Sequence, residues 1–520
     1  MKLSSNVSLW PLLLLCHVSI AAATRRKLLA GGTIIAFNNN SNNDAGPFNI
    51  IRGGSLLIDG DKIASIFDAA APPPPDALPA DTEVVDCTDK IITPGFIDTH
   101  RHGWQTAFKT LGSNTTLAEY AMRYSAAVGR SLFTPEDLYV SQLAGTYEAL
   151  AAGVTTILDH AHHTWTREHA EAGWRASVDS GARVFFGYTF QNTSTGFQVP
   201  QQMDHWRELY AEESHGRATL CMAYDDFTNN PESITRSVVD FAKENKVPVL
   251  TTHNVEGPWL FGNSPSTLHH FSLLDPAAPS PTLPHIVLSH ASFLTPRDFQ
   301  LLLSSNQHIS ITPESEMHYG HTHHPSSHLL LPQSSLGVDT HFTFSSDILT
   351  QARIWLQSVR ARIYAATLTH AWAIPDRSPM SVNQALLLAT RQGGLALGRP
   401  DLGVLAPAAR ADILVWDGRS PALLGWADPV AAVILHASVG DIADVLVGGE
   451  FVKRDGRLVV EGYDGVAERF LGVARRVQAA LKAMPLPELV GTFLTGSPFG
   501  EVKEVDAQRG EGTGYGPNYF

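Results

Sequence analysis

Short apolar runs alternate with longer amphipathic stretches through the middle of the chain. Each run is rich in Val, Ile, Leu or Phe, as buried strands are, and the stretches between them have helical spacing. The runs lead to His100, Asp159, Tyr188, Tyr224, His253, His290, Thr312 and Asp347. The first run includes Phe96 and Ile97, and the others cover residues 154–158, 183–186, 219–222, 247–250, 285–288, 308–311 and 341–344. Eight such β/α units predict a closed (β/α)8 barrel of the α/β class.

The two ends of the chain follow a different pattern. Residues 28–37 and 54–67 mix apolar and polar positions around Gly and Asp-Gly turns, with a hairpin expected at residues 56–63. Residues 411–418 and 444–452 return to β character. We therefore predict a small β-sandwich domain from residues 24–92 and 403–462, a barrel from residues 93–402, and a C-terminal helix and tail from residues 463–520. Helices are expected at residues 385–397 and 466–484, and residues 500–520 are expected to be poorly ordered.

The N-terminal residues have the pattern of a secretory signal. Lys2 precedes an apolar stretch, and small residues follow at positions 21–23, so residues 1–23 are predicted to be a signal peptide. The alternative is a membrane anchor, but the stretch is short for a bilayer span and is interrupted by His17 and Ser19. We expect a secreted protein with no stable membrane insertion after cleavage.

Composition restricts the class of partner. The 520-residue chain is 44% hydrophobic and 17% charged, with a formal net charge of −14, so it is long enough for a large core but lacks a basic nucleic-acid surface. A small neutral or cationic molecule is the expected partner. Outside the predicted signal the only cysteines are Cys87 and Cys221, so core packing rather than a disulfide framework is expected to stabilise the fold.

Polar side chains collect at the predicted strand ends. His100 and His102 are two residues apart, which on a strand directs both to one face. His253, His290 and Asp347 end other strands, and the carboxyl ends of barrel strands meet at one mouth. Imidazoles with a carboxylate form a good site for a divalent first-row metal. Glu256 follows His253 in the next loop and is expected near this site.

Several motifs resemble the amidohydrolase superfamily, in particular its branch of deaminases and chlorohydrolases that act on nitrogen heterocycles. They are Thr-Pro-Gly-Phe-Ile-Asp-Thr-His-Arg-His at 93–102, His-Asn-Val-Glu at 253–256, Leu-Ser-His at 288–290, Ser-Ser-Asp at 345–347, and residues 403–415. The resemblance implies that the metal ligands are His100, His102, His253 and Asp347. It also implies that Glu256, His290 and Asp347 are catalytic, and that a homodimer is possible.

The same resemblance restricts the metal. Two-metal members of the superfamily use a lysine after the fourth barrel strand, where this chain has Tyr224, Asp225 and Asp226. One divalent ion is therefore expected, Zn²⁺ before Fe²⁺. In the implied chemistry Asp347 accepts a proton from the metal-activated water, Glu256 protonates the ring nitrogen and leaving amine, and His290 stabilises developing charge. Glu256 could instead only orient His253.

Further residues are candidates for substrate contact. Trp104 and Gln105 follow the first histidine pair, although a tryptophan there could equally be core packing. The others, after the predicted seventh strand, are Glu314, Glu316 and His318. The histidines at 321, 323, 324 and 328 could form a second metal site, but a solvated loop is favoured, and those at 160, 162 and 163 could line or cover the pocket. Arg101 is expected to point away from the metal.

The sequence therefore predicts a metal-dependent hydrolase of C–N bonds other than peptide bonds, releasing ammonia from a nitrogen heterocycle. An amide or cyclic-amide hydrolase is the first alternative. The second is a catalytically silent binding protein of the same fold, which the presence of Glu256 and of the full ligand set disfavours.

Overall fold

The computed structural model describes residues 26–37, 47–74, 78–212, 215–274, 283–322, 326–503 and 505 of the 520-residue chain. The predicted signal peptide, residues 1–23, lies outside the described residues. So do residues 504 and 506–520, which make up most of the predicted C-terminal tail.

The first strands of the chain belong to a small β domain. They are β1 (Lys27–Phe37), β2 (Phe48–Asp59), β3 (Lys62–Phe67), β4 (Glu83–Asp86) and β5 (Ile91–Pro94). β2 and β3 form the predicted antiparallel hairpin, and Gly60 at its turn has a φ of 64°, which favours glycine.

The barrel strands follow. They are β6 (Phe96–Arg101), β7 (Val154–Ala161), β8 (Arg183–Thr189), β9 (Thr219–Ala223), β10 (Val249–Val255), β11 (His285–Ser292), β12 (His308–Ile311) and β13 (Ser334–Leu336). All neighbours pair in parallel in chain order, and the bridge between Arg101 and Asp339 joins the first strand to the residues that follow the last. The predicted eight-stranded barrel is confirmed.

The eighth strand was predicted at the wrong place. Residues 341–344, with their alternating aromatic pattern, form a turn, and β13 lies several residues earlier. β13 carries Ser334 and Ser335, because hydroxyls rather than apolar groups fill this layer of the barrel. Oγ1 of Thr99 lies 2.7 Å from Oγ of Ser310 and 2.8 Å from Oγ of Ser335. A search for apolar runs therefore misses this strand.

The chain returns to the small domain after the barrel. Its later strands are β14 (Ile413–Trp416), β15 (Ile442–Val447), β16 (Glu450–Arg454) and β17 (Arg457–Leu458). β14 pairs antiparallel with β5, which joins both chain ends in one nine-stranded sheet of order β17-β16-β15-β14-β5-β1-β2-β3, with β4 beside β1. The predicted second β domain built from both ends is confirmed.

Helices connect the barrel strands and complete the chain. They are α1 (Leu117–Arg123), α2 (Ala126–Gly129), α3 (Pro135–Ala151), α4 (Arg167–Asp179), α5 (Val199–Tyr210), α6 (Glu232–Glu244), α7 (Pro265–His270), α8 (Pro296–Ser305), α9 (Pro313–His318), α10 (Ser326–Leu329), α11 (Ile348–His370), α12 (Val382–Ala389), α13 (Arg391–Ala396), α14 (Pro429–Ala431) and α15 (Tyr463–Ala483). Shorter turns are the 3-10 helices Gly103–Phe108, Leu331–Gln333 and Val439–Asp441 and the π-helix Ala432–His436. The segment predicted as one helix at residues 385–397 spans α12 and α13.

Local signals explain several helix starts. Thr134 and Thr295 begin α3 and α8, each in a capping box with an aspartate three residues later and a proline in the first turn. Within the described ranges, no helix is both long enough and apolar enough to cross a bilayer.

The barrel and the small domain share an apolar and ionic contact. The ring of Phe96 on β6 lies 5.9 Å from that of Trp416 on β14, whose Nε1 donates at 3.0 Å to Oγ1 of Thr93 on β5, the neighbouring strand of the small domain. Arg183 on β8 forms a bidentate pair with Asp412 at 3.0 and 3.2 Å. These contacts attach β14 to the first barrel strands.

Candidate active site

Imidazoles and one carboxylate converge where four barrel strands end. β6 supplies His100 and His102, β10 supplies His253, and Asp339 follows β13. Oδ1 of Asp339 lies 3.3 Å from Nε2 of His100 and 3.1 Å from Nε2 of His102. Nε2 of His253 lies 3.2 Å from Nε2 of His102. His290 on β11 is further out, with its Nε2 at 4.0 Å from Oδ2 of Asp339.

Each imidazole is oriented through its other ring nitrogen. Nδ1 of His100 lies 2.8 Å from Oγ of Ser289, and Nδ1 of His102 lies 3.0 Å from the carbonyl oxygen of His160. The corresponding partners of His253 and His290 are Oδ2 of Asp225 and Oγ1 of Thr312, both at 2.8 Å. Because every Nδ1 is engaged, every Nε2 is left for the common point, as in metal sites.

These histidine and aspartate side chains are close enough together to hold a divalent cation. Ligand atoms of His100, His253, His290 and Asp339 all lie within 4.8 Å of one another. Nε2 of His100 is buried and lacks the geometry of a hydrogen bond to any described group. Nitrogen and carboxylate donors are those that zinc and ferrous iron prefer.

Backbone conformation aims two of these side chains. His290 and Asp339 have φ values of 70° and 67°, in the left-handed region that non-glycine residues rarely adopt. Gly337 lies so close to β6 that a Cβ atom there would be 2.8 Å from Cβ of His100. Glycine is therefore required two residues before Asp339, and the strained turn directs its carboxylate into the cluster.

Burial and contacts set the charge of the cluster. Burial opposes ionisation of Asp339, but the imidazoles of His100 and His102 against it hold its pKa well below the usual range. Burial lowers the pKa of His290 to about 3 and that of His100 well below its ordinary value. The carboxylate is therefore ionised at neutral pH while these imidazoles are neutral, which is the form that binds metal.

Asp347 was the wrong carboxylate for this cluster. Its side chain caps α11 by accepting from the backbone N–H of Thr350 at 2.5 Å, and Oγ of Ser345 donates to it at 2.7 Å. The error follows from placing the eighth strand at residues 341–344. The signal that marks Asp339 is the glycine before it, in the run from Leu336 to Asp339.

The structure places Glu256 just beyond the end of β10. Its carboxyl accepts from Nδ2 of Asn254 at 3.2 Å and from the backbone N–H groups of Gly262 and Asn263. Burial raises its pKa. The carboxyl lies beside this loop and does not line the cavity above the cluster.

A cavity of about 300 Å³ opens above the cluster. Its walls include Tyr120, Phe190 and Phe261, and the cluster residues His102, His253, His290 and Asp339 form part of its lining. The cavity also reaches His162, Gln191, Asp225, Asp226 and His321. The predicted mouth of the barrel is therefore a cavity with aromatic walls next to the histidines.

Trp104 and Gln105 lie behind the cavity wall. Trp104 is buried among Phe108, Phe133 and Trp165, and Gln105 is buried with its amide donating to the hydroxyl of Tyr120 at 2.9 Å. Neither lines the cavity. Trp104 is thus a packing residue in the structure, and Gln105 contacts a wall residue.

Glu314, Glu316 and His318 lie on α9 outside the cavity lining. Oε2 of Glu314 accepts from Gln351 at 2.9 Å, and Nε2 of His318 lies 3.1 Å from the carbonyl oxygen of Gly112. Glu316 is buried near His290, with 3.7 Å between Oε1 and Nδ1, and burial raises its pKa to about 7.

Of the remaining histidines, some line the cavity and others are buried outside its lining. His321 is buried 4.7 Å from the His290 ring and lines the cavity, so it does not belong to a solvated loop, while His323 and His324 lie outside the described residues. His162 lines the cavity and stacks on His102 at 4.0 Å, whereas His160 and His163 are buried outside its lining.

Arg101 points away from the cluster, as predicted. Its guanidinium donates to Asp98 at 2.8 Å, to the carbonyl oxygen of Gly145 at 3.1 Å and to Ser346 at 2.6 Å.

Comparison with known proteins agrees with this geometry. Residues 91–452 match the amidohydrolase family. The chain belongs to the amidohydrolase family. It is therefore an enzyme, and the family resemblance inferred from the motifs is confirmed.

Relatives of this amidohydrolase include deaminases. A 5-methylthioadenosine/S-adenosylhomocysteine deaminase of Syntrophobacter fumaroxidans is 25% identical over 443 residues, 82% of this chain and 94% of the relative. A 5'-deoxyadenosine deaminase of Methanothermobacter thermautotrophicus is 24% identical and covers 79% of this chain and 91% of its own length.

Solved structures share the fold. An atrazine chlorohydrolase of Arthrobacter aurescens complexed with zinc superposes with a TM-score of 0.71 at 20% identity, over 86% of this amidohydrolase and 100% of that chain. An adenosine deaminase of Xanthomonas campestris with bound zinc gives 0.71 at 16% identity, over 87% and 98% of the two chains.

Proposed function

We propose that this amidohydrolase is a metal-dependent deaminase that releases ammonia from an amino-substituted nitrogen heterocycle. The observation that carries the proposal is the convergence of Nε2 atoms on Asp339 while each Nδ1 is engaged by a neighbour. The deaminases among its relatives and the aromatic walls of the cavity support the heterocyclic substrate.

The proposed ligands are His100, His102, His253 and Asp339, with one ion bound. His290 is placed outside this set because the family resemblance implies a catalytic role for it, although its Nε2 lies 4.0 Å from Oδ2 of Asp339 and within reach of the same metal position. Asp225 occupies the region where two-metal relatives carry a lysine, and here it contacts Nδ1 of His253 instead. Zinc is proposed ahead of ferrous iron, since the solved atrazine chlorohydrolase and adenosine deaminase both hold zinc.

When bound, a divalent ion supplies a water whose pKa is lowered to about 7. Oδ2 of Asp339, which accepts from Oγ of Ser315 at 2.5 Å, is proposed to take the proton of that water. Asp339 takes over the role that the sequence analysis gave to Asp347. Nδ1 of His290 contacts Oγ1 of Thr312, which orients the neutral imidazole. His290 is proposed to form a hydrogen bond to the substrate through Nε2 and to stabilise the charge that develops there.

Glu256 remains the proposed acid for the ring nitrogen and the leaving amine. Burial raises its pKa, which favours a protonated carboxyl, and it follows His253 by three residues. Its carboxyl now lies against the loop at Gly262 and Asn263, so this role requires the side chain to rotate toward the cavity when substrate binds.

The decisive test measures ammonia release by the zinc-loaded protein from aminopurines, aminopyrimidines and aminotriazines. We expect turnover in at least one class, and its loss in Asp339→Asn and Glu256→Gln. Cleavage of amides or cyclic amides without ammonia release would favour the first alternative and overturn the deaminase proposal. Glu256→Gln with full activity would remove Glu256 from the mechanism.

We also infer secretion and a homodimer. The charged and apolar pattern of residues 1–23 supports secretion, and homodimers are common in the families that this chain resembles. N-terminal sequencing of protein from the culture medium should show cleavage near residue 23. Light scattering of the purified protein should give twice the monomer mass.

A further inference from the structure

The walls of the cavity are selective by shape. Tyr120, Phe190 and Phe261 provide three aromatic faces, and a volume of about 300 Å³ is at the small end of ligand cavities. Phe190 is held by ring contacts with Tyr188 and Phe241 at 5.5 and 5.3 Å. A compact planar ring is therefore favoured over a long flexible molecule.

The cavity is also selective by charge. No lysine or arginine is found among the described residues that line it, whereas three aspartates are.

Two of the three aspartates are matched by imidazoles. Asp339 contacts His100 and His102, and Asp225 lies 2.8 Å from Nδ1 of His253 and 3.1 Å from Nε2 of His160. The carboxylates of Asp339 and Asp225 are therefore both in contact with imidazoles of the cluster. The charge of a bound divalent ion would be met by the same two carboxylates.

Asp226 differs from them. It is half-buried at the loop after β9, and Asn229 hydrogen-bonds to its carboxylate. Across the described parts of the chain it forms no ion pair with a lysine, arginine or histidine. Asp226 therefore lines the cavity without a basic partner among the described residues.

Basic side chains near this end of the barrel are engaged elsewhere. Arg123 donates to the carbonyl oxygens of Leu481 and Met484 at the end of α15, and Arg130 donates to Ser194. Neither lines the cavity. An anionic substituent on a substrate would thus meet Asp226 with no lysine or arginine beside it in the described lining of the cavity, which is unfavourable away from bulk water.

We propose that the substrate is a compact aromatic nitrogen heterocycle that is uncharged or cationic, and that Asp226 selects it by accepting a hydrogen bond from one of its N–H or ammonium groups. This inference rests on the proposed function and adds a specificity residue to it. Carboxylate-bearing and phosphate-bearing heterocycles are disfavoured by the same residue.

The test compares matched pairs that differ by an anionic group. The pairs are cytosine with 5-carboxycytosine and adenosine with adenosine 5'-monophosphate. Calorimetry on the zinc-loaded protein measures binding, and ammonia release measures turnover. We expect the uncharged member of at least one pair to bind at least about tenfold more tightly than its anionic partner.

The variant is Asp226→Asn, with Asp240→Asn as the matched control because Asp240 is exposed on α6. Asp226→Asn should reduce the preference by about tenfold through a change in KM or binding, with kcat largely retained, while Asp240→Asn should leave it unchanged. Equal binding of both members, an unchanged preference in Asp226→Asn, or no binding of any heterocycle would overturn the inference. Selective binding without ammonia release would sustain it and overturn only the proposed deamination.

Discussion

Two His-x-His pairs end neighbouring barrel strands, and only one of them forms the cluster. His100 and His102 on β6 direct both Nε2 atoms toward Asp339, at 3.3 and 3.1 Å. His160 and His162 follow the same spacing on β7, yet Nε2 of His160 faces Asp225 at 3.1 Å and His162 stacks on His102. The identical motif therefore has two different uses.

The difference comes from what each pair meets across the barrel. β13 closes the barrel beside β6 and brings Asp339 between the first two imidazoles. Among the described residues no single carboxylate contacts both rings of the β7 pair: Asp225 lies 3.1 Å from Nε2 of His160, whereas Nδ1 of His162 accepts from Nε1 of Trp104 at 3.0 Å. The two pairs therefore differ in that one carboxylate, Asp339, contacts both rings of the first pair.

The largest effect is expected when one histidine of each His-x-His pair is replaced and the two variants are compared. His102→Ala removes a proposed ligand, so zinc content should fall to less than about a tenth of that of the wild type and kcat/KM by about 10³-fold. His162→Ala should keep the zinc. Plasma emission spectrometry and ammonia assays check both variants, and equal zinc loss in the two would contradict the distinction.

The second test concerns the carboxylate that makes the first pair a site. Asp339→Ala should reduce kcat/KM by about 10³-fold, since both imidazoles lose their shared partner. Asp347→Ala removes the α11 cap and should lower the free energy of unfolding by about 1 kcal/mol, with activity near that of the wild type.

Urea unfolding and steady-state kinetics compare these two variants. An inactive but stable Asp347→Ala protein, beside an active Asp339→Ala protein, would restore the assignment made from sequence.

The third test addresses the carboxylate of the second pair. Asp225 orients His253 through Nδ1, so Asp225→Asn should weaken zinc affinity by about 10–100-fold without abolishing binding. Competition with a chromogenic chelator measures this constant. Ser289→Ala is the matched comparison, because it removes an uncharged hydroxyl partner of Nδ1, that of His100. It should weaken zinc affinity less than Asp225→Asn does.

The smallest effect is expected behind the second pair. Trp104→Phe keeps the aromatic packing but removes the donor to His162, which should cost about 1 kcal/mol of unfolding free energy and change kcat/KM only a few-fold. Thermal and urea unfolding measure the loss. A collapse of zinc binding in this variant would make Trp104 part of the cluster rather than its support.

Much of the fold and part of the site could be predicted from sequence. Strands such as β10 and β11 are buried on both faces and begin with apolar runs that are visible in the sequence, and His253 and His290 follow those runs. β13 was missed because Ser334 and Ser335 fill a hydroxyl-lined layer of the barrel. Because the eighth strand was expected at residues 341–344, Asp347 rather than Asp339 was predicted as the carboxylate of the site.

Other residues are placed only by packing. The sequence left substrate contact and core packing equally open for Trp104, and its burial behind His162 makes it a packing residue. His321 could not be separated by sequence from the loop histidines that follow it. Asp225 was noted only as the absence of a lysine, although its carboxylate contacts both His160 and His253. These contacts join residues far apart in the chain.

The sequence by itself determined the repeating strand and helix order, the second β domain and the imidazoles of the cluster, because periodicity and strand ends are local properties. Tertiary structure alone decided which carboxylate joins them, which His-x-His pair faces it, and that Asp226 lines the cavity with no lysine or arginine among the described lining residues. Those choices depend on the closure of β13 against β6 and on left-handed turns at His290 and Asp339. Such closure is a property of the whole barrel and leaves little trace in any short segment.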